Sequence, residues 1–167
     1  MKIKLILYIF LCLLGFNLNS YADEIFFDSA NLKIEEEGNM IFATKGLAKI
    51  PSKSIEIEGD KFIYNKLISE LTIIDNVKFI DNKKNIYIES KKLIYNKINN
   101  TIYSPKKTFM KIEDKYEVNS SNVLYDRNFM KISSNKYTSV SDYDENTFNF
   151  EEGFLFNTIK EIISSKK

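Results

Sequence analysis

Apolar residues recur along this chain at two-residue spacing in short runs: Ile55 and Ile57, Leu71 and Ile73, Val77 and Phe79, Ile86 and Ile88, Leu93 and Tyr95. Period-two alternation sends successive side chains to opposite faces of an extended strand, whereas a helix repeats its apolar positions at three to four. Between the runs lie polar clusters rich in turn formers: "EEEGN" (35–39), "DNKKN" (81–85), "NKINN" (96–100), "IEDK" (112–115) and "DEN" (144–146). They read as hairpin turns, closely spaced as in an all-β meander. Pro51 and Pro105 each fall near a strand end, where a missing backbone donor is tolerated. The tail "FNTIKEIISSKK" fits a short helix or a last edge strand, and its periodicity does not choose between them.

The pattern repeats. "IEGDKFIYNK" (57–66), "IESKKLIYNK" (88–97) and "VNSSNVLYDR" (118–127) align without gaps, about 31 residues apart, and "IFFDSANLKI" (25–34) is a weaker first copy. Each aligned copy has an apolar residue (Ile57, Ile88, Val118), then a small one (Gly59, Ser90, Ser120). A second apolar residue (Phe62, Leu93, Val123) and a tyrosine (Tyr64, Tyr95, Tyr125) follow. The offset between the two apolar positions is odd, so a regular strand would point them to opposite faces. A kink or bulge at the small residue keeps both inside. A half-repeat follows each: "MIFATKGLAKI" (40–50), "ELTIIDNVKFI" (70–80) and "TIYSPKKTFMKI" (101–112). One unit is thus two strands with their turns, and a fixed period of this kind marks stacked supersecondary units, about four to five here.

The start of the chain reads differently. "MKIKLILYIFLCLLGFNLNSYADE" has basic Lys2 and Lys4, an apolar run from Leu5 to Phe16, and small Ser20 and Ala22 before Asp23. That is the form of a secretory signal, with cleavage expected after Ala22, leaving 23–167 as one β domain. The run is too short for a spanning helix, which needs about 20 apolar residues. Cys12 follows Phe10 and Leu11, where a lipidation site requires small residues. Loss of the segment removes the sole cysteine, so no disulfide holds the exported domain. Lys2 and Lys4 leave with it, which turns the whole-chain charge of +1 into −1. No basic field invites nucleic acid.

Composition also bears on chemistry. The chain has no histidine, which removes the commonest general base and zinc ligand, and its five glycines are scattered singly, without a phosphate-binding loop. The inventory argues against an enzyme, and no cofactor or metal is expected. Ile57, Phe62, Leu71, Ile73, Ile88, Leu93, Ile102, Phe109, Val118 and Val123 are expected in the core. Glu35, Glu36 and Glu37 suit a solvated hairpin tip. The lysine pairs Lys83 and Lys84, Lys91 and Lys92, and Lys106 and Lys107 suit strand edges, where charge deters aggregation; the lesser reading has some of them meeting phosphates as point charges.

The alternation in "KFIYNKLISELTIIDNVKFIDNKKNIYIESKKLIYNK" resembles the lipopolysaccharide-transport β-jelly-roll family, which includes the organic-solvent-tolerance-type (OstA-like) domain of LptA and the amino-terminal domain of LptD. The likeness runs from about Asp23 to Ser139. It departs at "IIDNV" (73–77), where Ile73 and Asp75 replace the pattern's alanine and glycine, and it matches poorly after Tyr137, which leaves the carboxy-terminal boundary of the domain open.

The resemblance implies an open, coiled antiparallel jelly roll whose apolar groove holds lipopolysaccharide acyl chains. Candidate groove residues are Ile57, Phe62, Tyr64, Leu71, Ile73, Val77, Phe79, Ile88, Leu93, Tyr95, Ile102, Phe109, Val118, Val123 and Tyr125. The implied partners are lipopolysaccharide and other jelly rolls of the same transport chain, joined by edge-strand pairing. The implied location is the periplasm, near the outer membrane. On these grounds the first expectation is a periplasmic carrier or bridge. The alternatives are the periplasmic domain of an LptD-type translocon without its barrel, a membrane-anchored relative, and a secreted β-repeat structural protein with a closed core.

Overall fold

The computed structural model describes residues 24–165, so the expected signal segment, 1–22, lies outside the described residues. Fourteen strands form one antiparallel sheet. The first five are long: β1 (Phe26–Glu35), β2 (Met40–Ile50), β3 (Ile55–Asn65), β4 (Glu70–Asp81) and β5 (Ile86–Asn96). Each pairs with the next in order.

Beyond β5 the sheet splits into two branches. The second half of β5 pairs with β6 (Thr101–Ser104), and its first half pairs with β7 (Thr108–Ile112). One branch continues through β9 (Val123–Asp126), β10 (Lys131–Ser134), β13 (Phe154–Asn157) and β14 (Ile162–Ser165). The other continues through β8 (Tyr116–Ser120), β11 (Thr138–Asp142) and β12 (Thr147–Phe150). Each pair β6/β7, β8/β9 and β10/β11 covers a stretch that would otherwise be one long strand. In the tail that periodicity left open between helix and strand, Ile162–Ser165 form the edge strand β14.

The split continues a crease that already bends the long strands into two facing layers. In β3, Ile55, Ile57 and Gly59 are buried, then Phe62 and Tyr64, so the inward phase changes across Asp60 and Lys61. β2 changes phase between Ala43 and Ala48, with Lys45 at φ +47°, and β5 changes between Ile88 and Leu93. The repeat places the kink at Gly59 and Ser90, and the phase change does lie beside them. The bulged residue itself sits on the intervening strand β4, whose register shifts against both neighbours around Asp75 and Asn76. Both residues take positive φ, 63° and 50°, a conformation that Asp and Asn accept better than other side chains carrying a Cβ. The segment "IIDNV" that departs from the family pattern is therefore this corner.

Breaking the ladder at the crease leaves backbone groups to satisfy, and buried or half-buried hydroxyls do so. Ser90, Ser104 and Thr108 bond to one another and to the carbonyls of Lys92 and Lys106. Ser134 donates to the Ser121 carbonyl at 2.7 Å, and Ser120 meets Thr138 at 2.7 Å. Pro105 sits in the gap between β6 and β7, where no ladder bond is asked of it.

The 31-residue period reappears as stacked turns along the strand ends. On one rim the amides of Lys66, Lys97, Arg127 and Thr158 donate to the carbonyls of Asn39, Ser69, Asn100 and Met130. On the other rim Asn82 and Glu113 donate to Ser54 and Asn85. Each repeat hangs on the one before it by a backbone hydrogen bond as well as by strand pairing.

Candidate functional site

Folding the sheet along the crease brings two rows of apolar side chains face to face. In one layer the directly paired residues Phe27, Ala48, Ile57, Phe79, Ile88, Met110, Val118, Val140 and Phe148 run without interruption from β1 to β12. In the other, Ile34, Ile41, Tyr64, Leu71, Tyr95, Ile102, Tyr125, Ile132, Phe156 and Ile163 run from β1 to β14. At about 4.8 Å per strand the rows are roughly 40 Å long. Phe62, Ile73, Leu93 and Val123 lie one row nearer the crease, with Val77 at the crease itself.

Fourteen of the fifteen groove candidates are buried on this inner face. Phe109 is not among them. In β7 the buried residues are Thr108, Met110 and Ile112, so Phe109 points outward, half-buried beside Lys78 and Glu89 in an outer-face cavity of about 390 Å³. The half-repeat "KKTFMKI" offers both Phe109 and Met110 to a period-two reading, and the register with Ile88 selects the methionine.

In the middle of the sheet the interior is filled by its own side chains: Tyr95, Tyr125, Phe62 and Phe79 are among the largest that are fully buried. At the two ends it is not. Leu32 and Ile34 on β1 pair opposite buried Ala43 and Ile41 and so face inward, yet they are 50% and 56% exposed. Phe148 on β12 pairs opposite fully buried Val140 and is 48% exposed. The apolar interior thus runs out through both terminal faces. Among the described residues β1, β12 and β14 each pair along one side only, leaving their outer edges unpaired.

Opposite the crease the two rims meet along a seam that, among the described residues, no strand pairing closes. Asp81 ends β4 in a row otherwise built of Ile50, Ile55, Ile86 and Ile112, and is fully buried. From the other layer the Arg127 Nε donates to Asp81 Oδ2 at 2.7 Å, with side-chain exposures of 5% and 0%. The same guanidinium donates through Nη1 to Asn100 Oδ1 at 2.8 Å and through Nη2 to the Lys53 carbonyl at 3.1 Å. Lys53 Nζ donates to the Tyr95 hydroxyl at 3.0 Å and to the Lys97 carbonyl at 3.4 Å. Farther along, Lys115 Nζ meets Glu161 Oε1 at 2.7 Å.

The charges respond to these surroundings. Burial and the Asp81 carboxylate push the Tyr125 phenol well above its ordinary value. Burial works against the Arg127 cation, and the Asp81 hydrogen bond and charge outweigh it, holding Arg127 above its usual range. The Tyr64 phenol rises through burial and then its neighbour Tyr95.

The repeated tyrosines therefore pack their rings in the core; Tyr95 and Tyr125 carry their hydroxyls to the seam. The sequence reading missed the seam's ionic residues. Asp81 reads as part of a turn, and Arg127 as the cation that ends the copy "VNSSNVLYDR"; the available signal is that Arg127 is the only arginine in the chain, where earlier copies end in Lys66 and Lys97.

No protein-family model matches this sequence, and no curated protein matches it. Among solved structures the chain is similar to LptH of Pseudomonas aeruginosa, described as the LptA-homologous periplasmic component of the conserved lipopolysaccharide transport device. The two share 8% identity with a TM-score of 0.52, over 87% of this chain and 83% of that one. At that identity the likeness is one of architecture: this chain has the open, LptA-type β-jelly-roll fold.

Proposed function

We propose that this protein is a periplasmic carrier or bridge for lipopolysaccharide, holding the acyl chains between its two apolar rows while the sugars remain in water. One observation carries the reading: two continuous apolar rows face each other along the whole sheet and leave inward-facing side chains uncovered at both ends, Leu32 and Ile34 at one, Phe148 at the other. A protein evolved only for stability would cap such ends, since exposed apolar surface and unpaired edges invite aggregation. Each methylene buried in such an interior contributes about 0.8 kcal/mol. The fold likeness to LptH and the secretory form of residues 1–22 support the location and the transport role. The unpaired edges fit extension by neighbouring jelly rolls.

The filled centre favours one other reading, a closed β-repeat structural protein that binds no lipid. Photocrosslinking in cells separates the two. A photoreactive residue at Ile34, Phe62 or Phe148, all inward, is compared with one at Phe26 or Leu124, which are exposed on the outer face. The carrier reading expects lipopolysaccharide adducts at the inward positions only. Adducts nowhere, or equally on both faces, in a folded protein refute it.

A further inference from the structure

Of the lysine pairs at 83/84, 91/92 and 106/107, the last two fall at the crease, and only Lys83/Lys84 falls on the seam. There they line a cavity of about 510 Å³ that spans the two rims, with Asn85, Glu113 and Lys115 from one layer and Met130, Thr158 and Ile159 from the other. Its volume is in the range of small-molecule sites. The wall is graded. Met130 and Thr158 are nearly buried and belong to the core side, whereas the lysines lie toward solvent. Lys115 is already engaged by Glu161 and Glu113. Among the described residues the amines of Lys83 and Lys84 have no partner, so they are the cations left for a ligand.

The turn that carries these lysines is fixed rather than loose. The Lys84 amide donates to both the carbonyl and Oδ1 of Asp81, and the Asn82 amide donates to the Ser54 carbonyl. Asp81 Oδ2 is at the same time the acceptor for Arg127. The buried ion pair and the lysine turn thus share one carboxylate, which places the cations beside the one line along which the two layers are joined by side chains alone.

We propose that this window is the site for an anionic phosphate on the headgroup of an acylated glycolipid: the phosphate rests on Lys83 and Lys84, and the chains pass inward beside Met130. The proposal rests on the carrier reading above and adds to it the position and chemistry of headgroup recognition. The amines serve as point charges, a mode suited to phosphate without a fixed orientation. Binding at so exposed a site weakens with ionic strength.

The test uses the whole exported protein and two probes, dispersed diphosphoryl lipid A and the same lipid with both phosphates removed, with inorganic phosphate as a third. The expected result is that the wild type prefers the diphosphoryl form by about tenfold or more, the factor one charge-assisted bond supplies. Lys83→Gln with Lys84→Gln abolishes the preference and leaves binding of the dephosphorylated lipid unchanged, while Lys106→Gln with Lys107→Gln preserves it. Inorganic phosphate at the same concentrations competes weakly, because the chains supply most of the affinity. Equal binding of both lipids, or equal loss in the crease pair, overturns the site and leaves the carrier intact. Failure of the wild type to bind either lipid overturns both. Competition by phosphate as strong as by the lipid assigns the lysines to free anions and overturns the headgroup assignment.

Discussion

Replacing Arg127 with methionine tests whether the seam is a real closure in solution. Arg127 supplies three hydrogen bonds, to Asp81 at 2.7 Å, Asn100 at 2.8 Å and the Lys53 carbonyl at 3.1 Å. Without it the fully buried Asp81 carboxylate keeps only the Lys84 amide at 3.1 Å and a long contact from the Tyr125 hydroxyl at 3.4 Å. Leaving one member of a buried pair uncompensated costs about 3–5 kcal/mol. That is a large share of the roughly 5–15 kcal/mol that holds an ordinary domain together. With a urea dependence of about 2 kcal/mol per molar, the unfolding midpoint of the Arg127→Met variant falls by about 2 M. The double variant Asp81→Leu, Arg127→Met removes both charges from an otherwise isoleucine-lined row and lies near the wild type, since apolar replacement of a buried pair is often neutral or stabilising by about 1–4 kcal/mol. The assay is equilibrium urea unfolding followed by tyrosine fluorescence. A loss below about 1 kcal/mol for Arg127→Met, the value of a solvated surface pair, refutes the reasoning and means that the two rims stand apart in water.

Further outcomes follow from the packing and from one hydrogen-bonded turn. A Cβ at Gly46 would run into the Asp28 carbonyl oxygen of the neighbouring strand, so Gly46→Ala forces β1 away and costs about 3 kcal/mol, the upper end of overpacking penalties; loss of amide protection in β1 before β3 in hydrogen exchange checks it. Gly59→Ala meets the Ile73 side chain instead of backbone and is the milder change in the same measurement. Met110→Ala in the inner row lowers stability by about 2–5 kcal/mol, whereas Phe109→Ala on the outer face costs under about 1.5 kcal/mol; urea midpoints in the reverse order reject the register of β7. The Asp142 carboxylate accepts a bond from the Asn146 side chain, the main cause that holds its pKa below the ordinary value; desolvation opposes it, and bonds from the Asn146 and Asp144 amides add to the lowering. Its folded pKa is depressed, so its stabilising effect is present above the unfolded value and is lost as pH falls through the lowered one. In an NMR titration the Asp142 midpoint returns toward normal in Asn146→Ala.

Much of this fold is legible in the sequence because the repeat is legible. Residues such as Ile57, Phe62 and Tyr64 recur with the same spacing at Ile88, Leu93 and Tyr95, and two copies in agreement fix the inward phase that one short strand leaves open. Phe109 shows the limit: β7 comes after Pro105, where the strand is broken, and the phase restarts from a register that only the partner strand defines. Asp81 and Arg127 escaped for a different reason. They are separated by 46 positions and sit in different repeats, so each looks ordinary in its own segment, an aspartate in a turn and a cation in a motif. Their significance arises from folding along the crease, which a linear pattern does not encode. The end-exposed Leu32 and Ile34 were hidden for a related reason, because alternation marks a residue as inward without saying whether a second layer covers it.

The crease and the seam of this folded sheet are held by different physics, and on the proposed carrier reading that difference governs how an acyl chain would enter. Along the crease the layers are continuous through five long strands and their paired backbone, so separation there would break many hydrogen bonds at once. Along the seam they are joined by a few side-chain ties, among them Lys53 to Tyr95, Asp81 to Arg127 and Lys115 to Glu161. Opening about the crease therefore costs mainly the apolar contact between the two rows, at roughly 25 cal/mol per Å² exposed, and the solvation of one buried ion pair is regained as it opens. An acyl chain lying between the rows restores the apolar contact while leaving the rims apart. An empty interior closes on itself, as in the packed centre around Tyr95 and Phe79, and on the carrier reading an occupied one would stay open without loss of apolar contact. On the carrier reading the filled core and the groove would be two positions of one hinge, and the polar seam would keep the two close in free energy.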